Sequence, residues 1–299
     1  MCQKALRRVV GVLPDLAAAD LVLLRYKPGR RMVARLDLQG QPRGVLKVIA
    51  GRAFDGALIG ATAAMADGQA PLLGADAALG AMLTAWIPGY PVCPEMTSHA
   101  PNRTTVARIG AVLAALHANP FRPATEWTAQ ADAEDVLTVA ADLMPLDADL
   151  ATRAQALATP LAARLAGTAF DPVLVHGDFS ADQVVIGNGG PVILDWDNAG
   201  LGDPARDVGS FLARMDAQVI DGLLTQDQAD DRGAALLQGY GTVPASVVLH
   251  HARALMLLLT EGFRNRHPDW SARTQKMMVR IEQVLGTMTT HHASGMRGS

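Results

Sequence analysis

The chain has 299 residues, of which 49% are hydrophobic, and its formal net charge is −3. This length and apolar content predict a folded protein of one large domain or two smaller ones and exclude a disordered chain. The charge balance gives no general reason to bind nucleic acid or an anionic membrane. The only cysteines, Cys2 and Cys93, have no metal-ligand spacing. We therefore expect neither a disulfide framework nor a zinc site, and a reducing compartment fits.

Neither apolar run near the chain ends predicts export or membrane insertion. The run VVGVL follows Lys4, Arg7 and Arg8, but Pro14 and nearby aspartates interrupt it before it reaches export length. The run ALMLLL at 254–259 is too short to span a bilayer. We therefore expect a cytoplasmic protein without a membrane segment, present as a monomer or a homodimer.

The first ninety residues predict mostly strands. Apolar and β-branched runs flank the turn Pro28-Gly29, and QGQPRG turns the chain again into VLKVIA, so three short antiparallel strands are expected. The Ala-rich residues 52–66 predict a helix, and LLGADAAL and AMLTAWIPG predict two more strands. Prolines and glycine after Ile87 end the pattern. Residues 1–88 are accordingly predicted to form a small antiparallel-sheet lobe, with the interlobe connection at Thr84–Pro88.

Beyond Pro94 the pattern becomes helical. Apolar residues recur at three- and four-residue spacing in TTVARIGAVLAALHANP, and similar helices are predicted over 130–143, 148–167 and from about 205 to 288. Residues 89–290 are predicted to form a larger, mainly helical lobe, and 291–299 a disordered tail. The fold class is therefore α+β, with a small sheet lobe before a helical one.

The stretch VLVHGDFSADQVVIGNGGPVILDWDNAG, residues 173–200, predicts a hairpin that gathers carboxylates. Asn-Gly-Gly between two apolar runs is a strong hairpin signal. At about 3.3 Å per residue, roughly four residues out and four back return Asp195 beside Gln183 and Asp178. Converging carboxylates repel each other unless a cation is present, and Asp195 with an amide oxygen suits Mg²⁺. Asp178, in the preceding loop, is free to accept a proton from a hydroxyl, a division of roles found in phosphoryl transfer.

The motifs HGDFSADQ and ILDWDNAGLGDPARD resemble those of the aminoglycoside phosphotransferase and choline kinase-like family, relatives of the protein kinases. That family has H-G-D-x-x-x-x-N followed by a strand that ends in I-D-[FW]. The resemblance implies a two-lobed protein kinase-like fold and an ATP- and Mg²⁺-dependent kinase. Its acceptor would be a hydroxyl of a small molecule such as an aminoglycoside, an amino sugar or an amino alcohol. It implies Asp178 as catalytic base, Asp195 and Gln183 as metal ligands, and Asp207 as the residue that holds the catalytic loop.

Two departures from the family pattern favour an alternative function. Gln183 stands where the family has Asn, which leaves open whether Gln183 or the adjacent Asp182 ligates the metal. The helix after Lys47 has no Glu to pair with that lysine, and Asp55 is the nearest acid. The alternative is a catalytically silent kinase-like protein that binds a nucleotide or another ligand, although the presence of Asp178, Asp195 and Lys47 opposes it.

Other candidates carry weaker signals. Lys47, inside VLKVIA, is either an edge-strand lysine that reaches solvent or a contact for the ATP phosphates. Thr84 and Trp86 are predicted to line the nucleotide site, where the backbone of the connection would meet adenine. His176 and His117 are predicted to be structural histidines.

The acceptor site remains open at this level. Asp197 is either an extra ligand or a turn residue, and Asp203 before Pro204 is predicted to start a helix. The residues considered for an acceptor wall, or else for solvated helix ends, are Glu261, Arg264, Asp269 and Trp270. Their mixed charge does not advertise a site for a polycation, which needs many acidic side chains.

Overall fold

The computed structural model describes Val9 and residues 19–92 and 101–295. The predictions for Cys2, for Cys93 and for an N-terminal signal concern residues outside these ranges. The described chain begins with an antiparallel five-stranded sheet in the order β1-β2-β3-β5-β4. Its strands are β1 (Asp20–Lys27), β2 (Arg31–Leu38), β3 (Gln41–Ile49), β4 (Leu72–Asp76) and β5 (Ala81–Ala85). A mainly helical part follows, which confirms the predicted α+β class and kinase-like fold.

The turns that shape the sheet follow from local sequence. Gly29, between β1 and β2, has a φ of +68°, and the two residues that join β2 to β3, Gln39 and Gly40, have φ of 53° and 73°. Positive φ at both central residues gives the turn a twist that matches paired strands. Helix α1 (Ala53–Ala66) then connects β3 to β4 and packs against the segment 196–198.

Short strands join the two halves. Thr84 belongs to β5, so the connection is shorter than predicted and β6 (Tyr90–Pro91) follows it directly. Strand β6 pairs with one arm of the predicted hairpin, which the sequence pattern missed because two residues show no alternation. The remaining strands are β7 (Val173–Val175), β8 (Val184–Gly187), β9 (Gly190–Ile193) and β10 (Gly200–Gly202). The β8–β9 hairpin turns at Asn188-Gly189 and β10 pairs with β7.

The remaining regular elements of the described residues are mainly α-helices. They are α2 (Arg103–His117), α3 (Ala129–Asp142), α4 (Ala148–Ala166), α5 (Ala205–Ile220), α6 (Gln226–Tyr240), α7 (Val247–Leu257), α8 (Glu261–Arg264) and α9 (Trp270–Gly295). Helix α9 continues past residue 290, where the sequence predicted a disordered tail, and residues 296–299 lie outside the described chain. No helix in the described ranges is long and apolar enough to cross a membrane.

The hydrophobic core seats the hairpin firmly in the helical half. Phe179, in the loop before β8, is fully buried and stacks on Phe211 of α5 at 5.9 Å between ring centroids. Trp196, just after β9, is buried in the same cluster, together with Val184 and Ile193 from the two arms. Burial of aromatic rings contributes several kcal/mol each on an order-of-magnitude scale. The loop and the hairpin are therefore anchored on a packed support.

Candidate active site

The hairpin returns Asp195 to Gln183. The Leu194 amide donates a hydrogen bond to the Gln183 carbonyl at 2.7 Å, which leaves the next residue, Asp195, beside it. Asp195 has φ 58° and ψ 56°, in the left-handed region that non-glycine residues rarely adopt, although Asp tolerates it better than most. Buried Trp196 holds this bend, because its indole donates to the Ile193 carbonyl at 2.9 Å.

Lys47 lies opposite this bend on β3 and binds two carboxylates. Its ammonium is 2.6 Å from Asp195 Oδ1 and 2.6 Å from Asp197 Oδ1, and Arg31 is 3.3 Å from the other oxygen of Asp197. Because β3 lies between β2 and β5, Lys47 is not on an edge strand, and that interpretation was wrong. Burial by itself would lower the pKa of Lys47, but Asp195 and Asp197 outweigh it and raise the pKa.

The same ion pair holds Asp195 ionised. Burial would raise the pKa of Asp195, yet the Lys47 ammonium, through its charge and its hydrogen bond, lowers it. Asp197 lies in the short 3₁₀ turn 196–198, so it is both a turn residue and an acceptor for Lys47 and Arg31.

Asp55 does not pair with Lys47. It is exposed on α1, and the helix approaches the site through glycine instead. A Cβ placed on Gly60 would lie 1.8 Å from the Trp196 carbonyl oxygen, so the α1 backbone packs directly on the segment after Asp195. The close approach leaves Asp195 and Asp197 to serve as the acidic partners of Lys47.

A cavity of about 430 Å³ lies between the sheet and the hairpin, and we call it the interlobe cavity. Much of its wall is apolar, including Val45, Met82 and Val185, while Arg31, Lys47, Asp195 and Asp197 gather at its charged part. Thr84 and Trp86 also line it. An apolar chamber with a charged end fits a flat heterocycle attached to an anionic group.

Gln183 also faces the interlobe cavity, and its side-chain amide makes no hydrogen bond to any described residue. Asp182 is exposed, and its carboxylate accepts a hydrogen bond from Ser180, so Gln183 is the better placed of the two for a metal. Within the described ranges no group of three or more His, Cys, Asp or Glu side chains forms a metal site. Asp195 and Gln183 suit Mg²⁺, which takes few protein oxygens and completes its shell with water and phosphate.

Asp207 ties the HGD loop to α5. Its fully buried carboxylate accepts hydrogen bonds from the backbone N–H of His176 at 2.7 Å and of Gly177 at 2.8 Å. Its third contact is His117 Nε2 at 3.1 Å. Burial would raise the pKa of Asp207, but its hydrogen bonds with His117 and with the backbone N–H of His176 hold the pKa below its ordinary value. These are the contacts that the role predicted for Asp207 requires.

Both histidines are held at both ring nitrogens. His176 is fully buried, its Nε2 lies 2.8 Å from the Leu194 carbonyl and its Nδ1 faces the Asp178 N–H at 3.4 Å. His117 Nδ1 lies 2.7 Å from the Tyr240 hydroxyl. In each ring, Nε2 carries the proton and donates it to the acceptor on that side. Nδ1 carries no proton and accepts from the donor on the other side. His176 thus links the Asp178 loop to the residue before Asp195.

Asp178 faces a second cavity, of about 380 Å³, which we call the Asp178 cavity. Burial raises the pKa of this carboxyl, Asp182 and Asp195 add to the rise, and Arg214 opposes them. A half-buried carboxylate with a raised pKa, open to a cavity, has the properties of a general base.

The wall of the Asp178 cavity brings together residues that the sequence did not. Its charged members are Asp135, Asp142, Asp178, Arg206, Arg214, Arg253 and Arg264. Arg264, which the sequence analysis considered for the acceptor wall, lines the Asp178 cavity. Glu261 does not line it but forms an ion pair with Arg214 at 2.7 Å. Asp269 and Trp270 are outside the wall, and Trp270 packs on Phe263. The arginines that stand on otherwise apolar helix faces are the signal that could have indicated this wall, although the sequence analysis did not use them.

Asp203 has the predicted position before α5. Its carboxylate accepts from the Ala205 N–H at 2.8 Å and also from the Ser246 hydroxyl at 2.7 Å. It therefore joins the start of α5 to the start of α7.

Comparison with known proteins agrees with this geometry. A family model described as "Phosphotransferase enzyme family" matches residues 12–246. No curated protein sequence matches the chain. A choline/ethanolamine kinase family protein from Mesorhizobium loti is similar in structure, with a TM-score of 0.65, 19% identity, and coverage of 95% of this chain and 93% of that one.

Two ligand-bound structures are also similar. A structure titled as the GDP and kanamycin complex of APH(2")-IIia has a TM-score of 0.62 and 15% identity over 94% of this chain and 98% of that one. Spectinomycin phosphotransferase in complex with ADP and spectinomycin has a TM-score of 0.60 and 14% identity over 95% and 91%. At such identities the likeness establishes the fold.

Proposed function

Because the chain belongs to the phosphotransferase enzyme family, we propose that it transfers the terminal phosphate of ATP, with Mg²⁺, to a hydroxyl group of a small molecule. The observation that carries this proposal is the hairpin, which puts Asp195 and Gln183 on one cavity and Asp178 on another. The two carboxylates are near enough for Asp195 to raise the pKa of Asp178. A donor in one cavity and an acceptor in the other would meet at the hairpin.

The interlobe cavity is the nucleotide site in this proposal. The base lies in the apolar part beside Thr84 and Trp86, and the phosphates lie near Lys47 and Arg31. GDP and ADP are the nucleotides named for two similar structures, which supports a nucleotide here. Asp195 and Gln183 would hold Mg²⁺, which neutralises phosphate charge when bound.

Asp178 accepts the proton of the acceptor hydroxyl as the new O–P bond forms. Its raised pKa makes it a stronger base than an ordinary aspartate, while the charge of Arg214 limits the rise. Asp207 fixes the loop through two backbone hydrogen bonds, and His176 fixes it against the Leu194 carbonyl. Positioned groups of this kind supply most of the catalysis in phosphoryl transfer.

A silent binding protein is the second candidate, and one observation favours it. Lys47 already occupies both Asp195 and Asp197 at 2.6 Å, so phosphate and metal must replace existing ion pairs. In that case a nucleotide would bind weakly or without turnover.

A nucleotide-consumption assay with a panel of hydroxylated acceptors separates the two candidates. We expect acceptor-dependent release of ADP that requires Mg²⁺, with ATP and GTP compared in parallel. Asp178→Asn should lower transfer by about 10²–10⁴-fold, because the proton acceptor is lost, with nucleotide affinity retained. Nucleotide binding with no product from any acceptor, or a fully active Asp178→Asn variant, would overturn the proposed kinase activity or the role of Asp178, respectively.

A further inference from the structure

The acids around the Asp178 cavity already form ion pairs with arginines, although Oδ2 of Asp132 accepts no hydrogen bond from a described residue. Asp132, fully buried behind the wall, accepts from Arg206 and lies 2.7 Å from Arg253 Nε. Asp135 accepts from Arg253 as well. A polycationic acceptor would need free carboxylates here.

Glu261 is occupied in the same way. It contacts Arg214 at 2.7 Å and Arg273 at 3.4 Å. Within the described chain, two acids of the wall are left without an arginine partner: Asp142, which is exposed, and Asp178. Asp178 is already assigned to proton transfer. The cavity therefore offers little negative charge to a cationic group.

Its arginines, in contrast, retain unused donors. Arg206 and Arg253 are each 5% exposed, and the Nε of each has no hydrogen-bond acceptor, since the approach of Arg253 to Asp132 lacks hydrogen-bonding geometry. Buried donors without partners cost free energy unless a ligand or water satisfies them. Arg264 makes no ion pair or hydrogen bond with a described residue, and Arg214 binds Glu261 through one nitrogen.

The approach to Arg264 is cationic too. The pKa of partly buried Lys27 is lowered, first by the charge of Arg25, then by burial, and then by Arg31, Arg30 and Arg264. Arg264 is thus near the basic β1–β2 turn. A field of one sign along a cleft raises the local concentration of ligands of the opposite charge.

We propose that the acceptor carries an oxyanion, a carboxylate or a phosphate, in addition to its reacting hydroxyl, and that Arg264 and Arg214 bind this group. The proposal rests on the proposed kinase function and names the acceptor class of the same site. Arginine suits this role because its planar donors match carboxylate and phosphate oxygens in pairs. Arg206 and Arg253 supply positive charge deeper in the wall.

Acceptors that differ only in charge test the class. Glycerol, glycerate and glycerol 3-phosphate share a hydroxylated carbon skeleton, and choline and kanamycin supply cationic alternatives. We expect kcat/KM, followed by ADP release and ³¹P NMR of the product, to be at least about tenfold higher for an anionic member than for glycerol. The comparison of glycerate with glycerol 3-phosphate identifies the oxyanion. A preference for choline or kanamycin overturns the inference and leaves the kinase function standing.

Substitution of Arg264 tests the residue. Arg264→Gln removes an exposed, unpaired guanidinium, so the fold is retained, and it should raise KM for the anionic acceptor about tenfold with little change in kcat. Arg153→Gln is the matched control, because this exposed arginine pairs with Glu282 away from the cavity wall. Equal KM values for wild type and Arg264→Gln would contradict the role of Arg264.

A binding measurement covers the case in which no acceptor turns over. With the nucleotide site filled by ADP and Mg²⁺, inorganic phosphate should raise the Tm of the wild type and of Arg153→Gln more than that of Arg264→Gln. Equal shifts in all three proteins overturn the oxyanion site. Failure of ADP itself to bind would instead overturn the proposed function.

Discussion

The two cavities at the hairpin differ in the elements that form their walls and in the charge of those walls. Side chains of the sheet and of α1 give the interlobe cavity an apolar wall, and four of its charges, Arg31, Lys47, Asp195 and Asp197, form ion pairs with one another, while Arg25 adds a further cation. Helices build much of the Asp178 cavity, whose wall is rich in arginine and includes Arg264 without an ion partner among the described residues. In our proposal the first cavity serves any reaction of the nucleotide, and the second discriminates among acceptors. Changes in the first cavity should therefore affect all acceptors alike, whereas loss of Arg264 from the second should affect anionic acceptors most.

Asp195→Ala should have the largest effect in the interlobe cavity. It removes the proposed metal ligand and leaves Lys47 with Asp197 alone, so we expect loss of Mg²⁺-dependent nucleotide affinity and a rate at least about 10²-fold lower for every acceptor. Calorimetric titration with ADP, with and without Mg²⁺, measures the first effect. Asp55→Ala, which removes an exposed acid of α1, is the control and should match wild type. Unchanged Mg²⁺-dependent binding in Asp195→Ala would mean that the metal lies elsewhere.

Asp207→Asn should weaken the support that both cavities share. A buried carboxylate with two backbone donors and His117 is lost, and we expect the free energy of unfolding to fall by about 3 kcal/mol at neutral pH. Because the pKa of Asp207 is lowered by folding, its stabilisation is present above the unfolded pKa and is lost as pH falls through the folded pKa. Urea unfolding at several pH values should therefore show the two proteins converging in acid, whereas a constant difference would contradict this account.

Arg214→Gln should shift a pH profile in the Asp178 cavity. Arg214 lowers the pKa of Asp178, so its removal raises that pKa further above the ordinary value. Since only the ionised carboxylate accepts a proton, the acidic limb of the rate profile should move to higher pH, with the loss of activity concentrated at low pH. The profile of Arg153→Gln should stay at the wild-type position. An unmoved limb in Arg214→Gln would show that Asp178 does not set it.

Gln183 should give the smallest effect. Gln183→Leu deletes the amide oxygen, but water is able to fill a vacated Mg²⁺ position, so we expect a several-fold higher Mg²⁺ requirement and a modestly lower rate for all acceptors. Gln183→Asn keeps the ligand type and should lie closer to wild type. Titration of activity against Mg²⁺ compares the three proteins. If Gln183→Leu matches wild type, then Gln183 is no ligand.

The alternative that the structure excludes most clearly is that of Lys47 as an edge-strand lysine. Its sequence neighbourhood, VLKVIA, is equally compatible with an edge strand and an interior one, because local pattern does not reveal which strands flank it. Its acidic partner was sought nearby, at Asp55, since a pattern search follows the chain. The structure supplies the partners from 148 and 150 residues away, Asp195 and Asp197, because glycines let α1 pack directly on the segment that carries them.

Local sequence determined the five strands of the sheet, their turns and the hairpin, since backbone conformation and strand alternation depend on neighbouring residues. It also predicted that the hairpin returns Asp195 to the neighbourhood of Gln183, and the observed register places Leu194 opposite Gln183, with Asp195 one residue further along. The wall of the Asp178 cavity was decided only by tertiary packing. Arg206, Arg214, Arg253 and Arg264 come from three helices, and helical periodicity shows which face of each is buried but not which faces meet. The charge that the acceptor encounters therefore depends on how these three helices pack together.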